Sequence, residues 1–391
     1  MATIPYRVDA SVRIADDGRL CCTAQKRPPD AGGASAPAGA PANVNAPSPP
    51  LLDYPHATPP PPGGATEVAP GLWWIRMPLP FALDHINLWL ARERDGRWTA
   101  IDTGYGSDAT RALWERHFAT TLAGAPLERI VATHYHPDHL GNAAWLAARF
   151  GAPVRMTQAE FLTAHAVLDQ RATHALADTC ALFLAHGLAR EHVDALAARG
   201  NAYARGVQAA PRTIERMIAG DRFAFGGCDW TVIPGFGHSP EHASLFASAP
   251  NVLISGDMLL PRISTNVAVW PADPDGDPLA RFLASLDAFD ALPGDALVLP
   301  SHGLPFRGIA ARVAELRAHH AARLAELADA LAEAGRPLSA GELVPVLFRR
   351  PLDLQQRFFA TGEAIAHLNH LWHAGRASRS VGDGGAITFA A

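Results

Sequence analysis

The 391-residue sequence predicts an α/β protein with a helical insertion and a helical C-terminal part. Three observations lead there. Five short apolar runs have strand length and end abruptly at polar residues. The stretch 157–218 and the Ala/Leu/Glu/Arg-rich segment from Arg312 repeat apolar residues at helical spacings. Hydrophobic residues make up 48% of a chain long enough for two or three domains, ample for a sizeable core.

The elements follow in chain order. Residues 1–65 form an N-terminal extension rich in Pro, Ala and Gly; from Lys26 to Gly64 almost no large apolar residue occurs, so a flexible arm is expected. Within it residues 6–22 alternate weakly and suggest an edge strand. A domain is expected over 66–310. Near its start Asp84, His85 and Asn87 precede an apolar strand and are candidate substrate contacts. Trp98 to Ile101 is the first run, closing on Asp102, a carboxylate suited to orient a ligand histidine, because ligating imidazoles need an outer acceptor.

The second run closes on Thr133-His134-Tyr135-His136-Pro137-Asp138-His139. Three imidazoles and a carboxylate so close together cannot share one helix face, but they can fan around two cations where a strand gives way to a loop. Residues two apart on an extended segment point the same way, so His134 and His136 can grip one ion while Asp138 and His139 turn toward another. Trp230 to Pro234 leads into Gly235-Phe236-Gly237-His238, which offers a third nitrogen to the first ion. Asn251 to Gly256 ends at Asp257, and a two-oxygen carboxylate is the natural bridge between ions about 3.5 to 4 Å apart. Arg262 and Asn266, just beyond, are further substrate candidates, and Arg262 could hold a carboxylate or phosphate of a substrate. Ala296 to Pro300 leads to His302, which completes the second site.

Residues 157–218 read as a helical lid, with His165, His174, His186 and His192 expected at its surface or caps. The part 311–391 reads as a long helix to Ala334, a short helix opened by the capping box Ser339 to Glu342, a third helix from Leu354 to Ala374, and a terminal hairpin. Three helices and a two-stranded wing resemble a small winged-helix domain. Its third helix lacks the Lys/Arg stripe that phosphate contact needs, which favours a packing or oligomerisation role.

Together, Asp102, His134-x-His136-x-Asp138-His139, Gly237-His238, Gly256-Asp257 and Ser301-His302-Gly303 resemble the five ordered motifs of the metallo-β-lactamase superfamily, across roughly residues 66–305. The layout with a helical tail is similar to the lactamase-like endoribonuclease and glyoxalase II-like group. The resemblance implies a four-layer αβ/βα sandwich with the metals at one edge of two facing sheets. His242 resembles the family's second histidine after the ligand and is read as supporting the ligands.

The expected cofactors are two Zn(II), with Fe or Mn as alternatives. The expected activity is hydrolysis of a small-molecule thioester, ester or lactone by a hydroxide held between the metals. Asp138 and Asp257 are the expected catalytic carboxylates, and a metal-bound water, Asp257 or His242 is the candidate leaving-group acid. The alternatives are a metal-dependent endoribonuclease, a mononuclear-iron sulfur dioxygenase or a non-catalytic metal protein. A net charge of −5 offers no overall attraction to phosphate backbones, so nucleic acid is the lesser expectation. No apolar run reaches membrane-spanning length, four cysteines do not make a disulfide framework, and a cytoplasmic enzyme, as monomer or homodimer, is the expected setting.

Overall fold

The computed structural model describes residues 52–391, together with two short strands upstream, β1 (Val12–Ile14) and β2 (Leu20–Cys22). These pair antiparallel as a sheet of their own within residues 1–49, where an edge strand is expected. The rest of the expected arm up to residue 51 lies outside the described residues. Residues 52–64, expected to continue that arm, are instead held in place: Asp53 and Arg307 exchange backbone bonds, with Arg307 N–H donating at 2.8 Å, and Pro60 is buried. A proline-rich segment with no core of its own can still be ordered by a neighbouring backbone.

The first sheet runs in order β3 (Thr66–Ala69), β4 (Leu72–Pro78), β5 (His85–Arg92), β6 (Trp98–Ile101), β7 (Leu127–Val131), β8 (Val154–Thr157) and β9 (Glu215–Met217). Its first four strands are antiparallel and the last four parallel. Parallel neighbours need a crossover. These are α1 (Asp108–Ala119), then α2 (Pro137–Leu140) with α3 (Ala143–Phe150), then the insertion: α4 (Gln158–Leu168), α5 (Leu176–Ala185), α6 (Arg190–Arg199) and α7 (Tyr203–Gly206). The second sheet is β10 (Arg222–Phe225), β11 (Cys228–Gly235), β12 (His242–Ala247), β13 (Val252–Gly256) and β14 (Leu297–Pro300), with α8 (Pro278–Asp290) crossing between the last two.

Strands β6, β13 and β14 are buried at every residue, as continuous apolar runs covered on both faces must be. One core joins Trp89, Ile101 and Ile130 of the first sheet to Trp230, Leu245 and Ile254 of the second, while α1 and α3 contact the first sheet and α8 the second. The result is the four-layer sandwich that the five motifs imply.

The C-terminal part contains α9 (Ile309–Ala334), α10 (Ala340–Leu347), α11 (Leu354–His373) and the hairpin β15 (Ser378–Val381) to β16 (Ile387–Ala390). The Ser339–Glu342 capping box is present, and Asp353 with Gln356 forms another on α11. This part is not separate from the sandwich. Leu316, Ile365, Leu368 and Phe389 share one core with Phe282 of α8, Val298 of β14 and Phe183 of the insertion, so residues 50–391 make one compact unit. His186, expected at the surface, is fully buried, stacked on Phe389, and its carbonyl accepts Gly341 N–H at 2.9 Å.

Inside this core His320 donates from Nδ1 to His367 Nε2 at 3.1 Å, while His367 Nδ1–H donates to the Glu363 carbonyl at 2.9 Å. Burial, reinforced by nearby His319, His370 and Arg323, pushes His320 down to about 3 and His367 to about 4. Because both native values are depressed, the unfolded chain binds protons first as pH falls below about 6.5, and stability is lost toward pH 4. Each histidine contributes about 2 kcal/mol of that loss by pH 5. Urea unfolding at pH 7 and pH 5 should therefore show a loss about 4 kcal/mol smaller in the His320→Gln/His367→Gln double variant than in the parent; equal losses in both would contradict the assignment.

Candidate metal centre

Every strand that ends in a candidate ligand delivers it to the same edge. Asp102 follows β6, the His134–His139 turn follows β7, His238 follows β11, Asp257 follows β13 and His302 follows β14. Asp102 sits at φ 60°, a left-handed conformation uncommon outside glycine, which turns its carboxylate back onto the adjacent strand.

The seven candidate ligands gather into two groups. His134, His136, His238 and Asp257 each offer one atom to a first cluster, and Asp138, His139 and His302 to a second, with the atoms of each cluster within 4.8 Å of one another. Asp257 faces both: its Oδ2 lies 3.4 Å from His238 Nε2, and its Oδ1 lies 3.5 Å from the Nε2 atoms of both His139 and His302. Asp138 Oδ2 is 3.6 Å from His139 Nε2 and 3.4 Å from His302 Nε2.

Outer partners decide which nitrogen faces inward. His139 Nδ1 is 2.8 Å from Asp102 Oδ2, His238 Nδ1 is 2.7 Å from the Asn266 carbonyl, and His302 Nδ1 is 2.9 Å from the His85 carbonyl. His134 Nδ1 meets Thr133 Oγ1 at 3.0 Å, and that hydroxyl donates to Asp102 Oδ2 at 2.9 Å. Each such acceptor claims the Nδ1 proton and leaves the Nε2 lone pair free to bind a metal. His136 presents Nδ1 instead, 2.9 Å from His134 Nε2, which is itself 3.2 Å from His238 Nε2.

These residues fit a divalent cation. Lone pairs converging at such distances repel unless positive charge lies among them, and buried His139 Nε2 and Asp257 Oδ1 make no hydrogen bond. Burial, then the neighbouring imidazoles, holds His134 well below its ordinary value and His136 down to about 3, which keeps them in the neutral, metal-binding form. In the second cluster burial opposes charge on His139 and His302, but Asp102, Asp138 and Asp257 outweigh it for His139, and Asp257 and Asp138 do so for His302, raised to about 10. A metal entering there competes with protons that the carboxylates attract.

The other candidates divide. Asp84, largely exposed, and His85 pair at 2.5 Å and line a cavity of about 230 Å³ together with Arg76 and Pro78. His85 also supports the second cluster, since its Nε2 accepts Gly303 N–H at 3.1 Å. Asn87 is not a substrate contact: it is fully buried, donates to the Pro300 and Gly303 carbonyls, and accepts from Trp74 Nε1. Asn266 is occupied as well, its carbonyl on His238 and its amide on Glu363 at 3.2 Å. Arg262 is exposed and stays accessible to a substrate, while Arg76 is held in place by bonds to Asn87 and the Gly303 carbonyl. His242 is corrected as a candidate acid. It is fully buried beneath the cluster, and its Nε2 accepts the Asp257 N–H at 3.2 Å, so a leaving group cannot reach it.

Sequence reasoning missed the acceptors Thr133, His85 and Asn266, and also Glu160, a buried carboxylate of the insertion bonded beside both His136 and His238. Thr133 alone carried a signal, as the residue between strand and ligand.

The chain is similar to known proteins. Residues 82–302, more than half of the chain, match the family model for the metallo-beta-lactamase superfamily, and residues 324–391 match that for the metallo-beta-lactamase-like C-terminal domain. A beta-lactamase domain protein from Burkholderia ambifaria is similar in structure, with 46% identity, TM-score 0.81, and 87% of this chain and 98% of that one covered. A metallo-beta-lactamase family protein from Thermus thermophilus shares 30% identity at TM-score 0.69, covering 83% and 99%. The probable metallo-hydrolase YqjP of Bacillus subtilis is 26% identical over 323 residues, 81% of this chain and 96% of its own.

Proposed function

Because the chain belongs to the metallo-β-lactamase superfamily, we propose that it is a dinuclear zinc hydrolase acting on a thioester, ester or lactone of a small molecule. The observation that carries this reading is Asp257, whose two oxygens face one cluster each. His134, His136 and His238 would hold the first ion and Asp138, His139 and His302 the second, with Asp257 between them. When bound, the ions supply Lewis acidity toward a carbonyl oxygen and lower the pKa of the attacking water.

The protein's own groups do the rest. Asp102, Thr133 and the His85 and Asn266 carbonyls hold the imidazoles in one tautomer, so no reorganisation is needed during turnover. In this reading Asp138 and Asp257 would accept a proton from water and return it to the leaving group. An apolar acyl substrate is supported by exposed Phe81, Phe236 and Ile263, on the loops leading to His85, His238 and Asn266. Arg312, a buried cation on α9, is already bonded to the Leu260 and Ile263 carbonyls.

Among the described residues no helix is long and apolar enough to cross a membrane, and Cys180 and Cys228 are free thiols. Free thiols suit a cytoplasmic enzyme, and that setting is part of the proposal. Elemental mass spectrometry of the purified protein tests the reading, followed by a thioester and lactone screen with and without chelator. Two zinc per chain and hydrolysis restored by zinc after chelation are expected. One iron per chain would favour oxidation chemistry, and no bound metal would sink the centre.

A further inference from the structure

The insertion reaches the metal edge through one carboxylate. Glu160, the third residue of α4, is fully buried. Its Oε2 accepts Tyr135 N–H at 2.9 Å, and its Oε1 accepts the Ser239 hydroxyl and Glu241 N–H, both at 2.7 Å. Tyr135 is the residue between His134 and His136, and Ser239 follows His238. A single side chain therefore joins the two turns that supply all three imidazoles of the first cluster.

The same insertion grips Tyr135 from its other side. Tyr203 of α7 donates its hydroxyl to the Tyr135 carbonyl at 2.7 Å, so both backbone groups of the residue between two ligands are bonded to the insertion. Thr157, at the end of β8, adds a bond to the Glu241 carbonyl at 2.8 Å. His134 Nε2 lies 2.9 Å from His136 Nδ1 and 3.2 Å from His238 Nε2, so the spacing of the three rings depends on how closely these two turns are held together.

We propose that Glu160 is a positioning residue for the first metal cluster, and that the insertion serves as the scaffold setting the spacing between the His134–His136 turn and the His238 turn. The inference rests on the metal reading of that cluster and not on the reaction catalysed. A carboxylate suits the task because it only accepts, and here it meets three donors. Glutamine keeps its shape but turns one acceptor into a donor that faces a backbone N–H or the serine hydroxyl.

The test uses the full chain, stripped of metal and titrated with zinc against a chromophoric chelator and with cobalt(II) by absorption spectroscopy, circular dichroism checking the fold. For Glu160→Gln we expect about tenfold to hundredfold weaker binding of one zinc equivalent and an altered cobalt spectrum, as when a ligand's outer partner is lost. Tyr203→Phe and Ser239→Ala, which each withdraw one bond, should shift both readouts in the same direction by less, and they keep the test readable if the Glu160 variants do not fold. Parent-like zinc affinity and cobalt spectrum in folded Glu160→Gln, or in both lesser variants where it does not fold, would overturn the proposal. A parent chain that takes up no metal would overturn the metal reading and this inference with it.

Discussion

Asp257→Ala is expected to lower hydrolysis by at least about a thousandfold, about 4 kcal/mol in the barrier, and to strip metal from both clusters rather than one. The reason is its position. Oδ2 faces His238 while Oδ1 faces His139 and His302, so truncation removes an anionic ligand from each side at once. It also leaves His139 and His302 with less of the carboxylate field that raises their proton affinity, Asp257 being the larger charge on His302. Asp257→Asn keeps the shape without the charge and should retain one ion more readily than two. Metal content and kcat/KM of the parent and both variants decide the matter. Two ions retained in Asp257→Ala, with activity within tenfold of the parent, would refute the bridging role.

Gly141→Ala should destabilise the fold by more than about 4 kcal/mol, above the usual 1–3 kcal/mol of overpacking. A β-carbon there would lie 2.4 Å from Gly106 N and from the Gly206 carbonyl oxygen, and 2.5 Å from the Gly104 carbonyl oxygen. All three are backbone atoms, which cannot swing aside like the tip of a flexible side chain. They belong to the loop after β6 and to α7 of the insertion, while Gly141 itself lies in the turn that follows His139, so the glycine is where three segments beneath the metal edge meet. Asn142 beside it donates to the Thr103, Gly104 and Tyr105 carbonyls, which ties the crossing down further. Gly151→Ala makes the contrast. Nothing lies within 4 Å of its β-carbon, and only the strain of φ +66° remains, about 1 kcal/mol. Urea midpoints of the two variants give the comparison, and a Gly141→Ala midpoint equal to that of Gly151→Ala would show that the crossing yields.

The candidate ligand set was legible because its chemistry is carried by side-chain identity. Histidine and aspartate at the ends of strand-length apolar runs are rare enough that five in order point to one edge, and the structure gathers all seven there. Asp102 was legible for the same reason, as a carboxylate at a strand end. Among the substrate candidates Asn87 and Asn266 are taken up by structural bonds, because proximity in sequence says little about where a side chain points. Asn87 alternates inward on β5 to meet Pro300 and Gly303, more than two hundred residues away.

By itself, then, the sequence determined the α/β class, the strand-end candidate ligands, the capped C-terminal helices and the hairpin, all of which depend on local pattern and residue type. Tertiary structure alone decided that the His85 and Asn266 carbonyls hold the ligand histidines, that His242 lies beneath the cluster, that Glu160 spans two ligand turns, and that α9 and α11 share the sandwich's core. The physical reason is common to all four. A carbonyl belongs to every residue and an apolar face fits many partners, so neither names its neighbour until the chain has closed on itself.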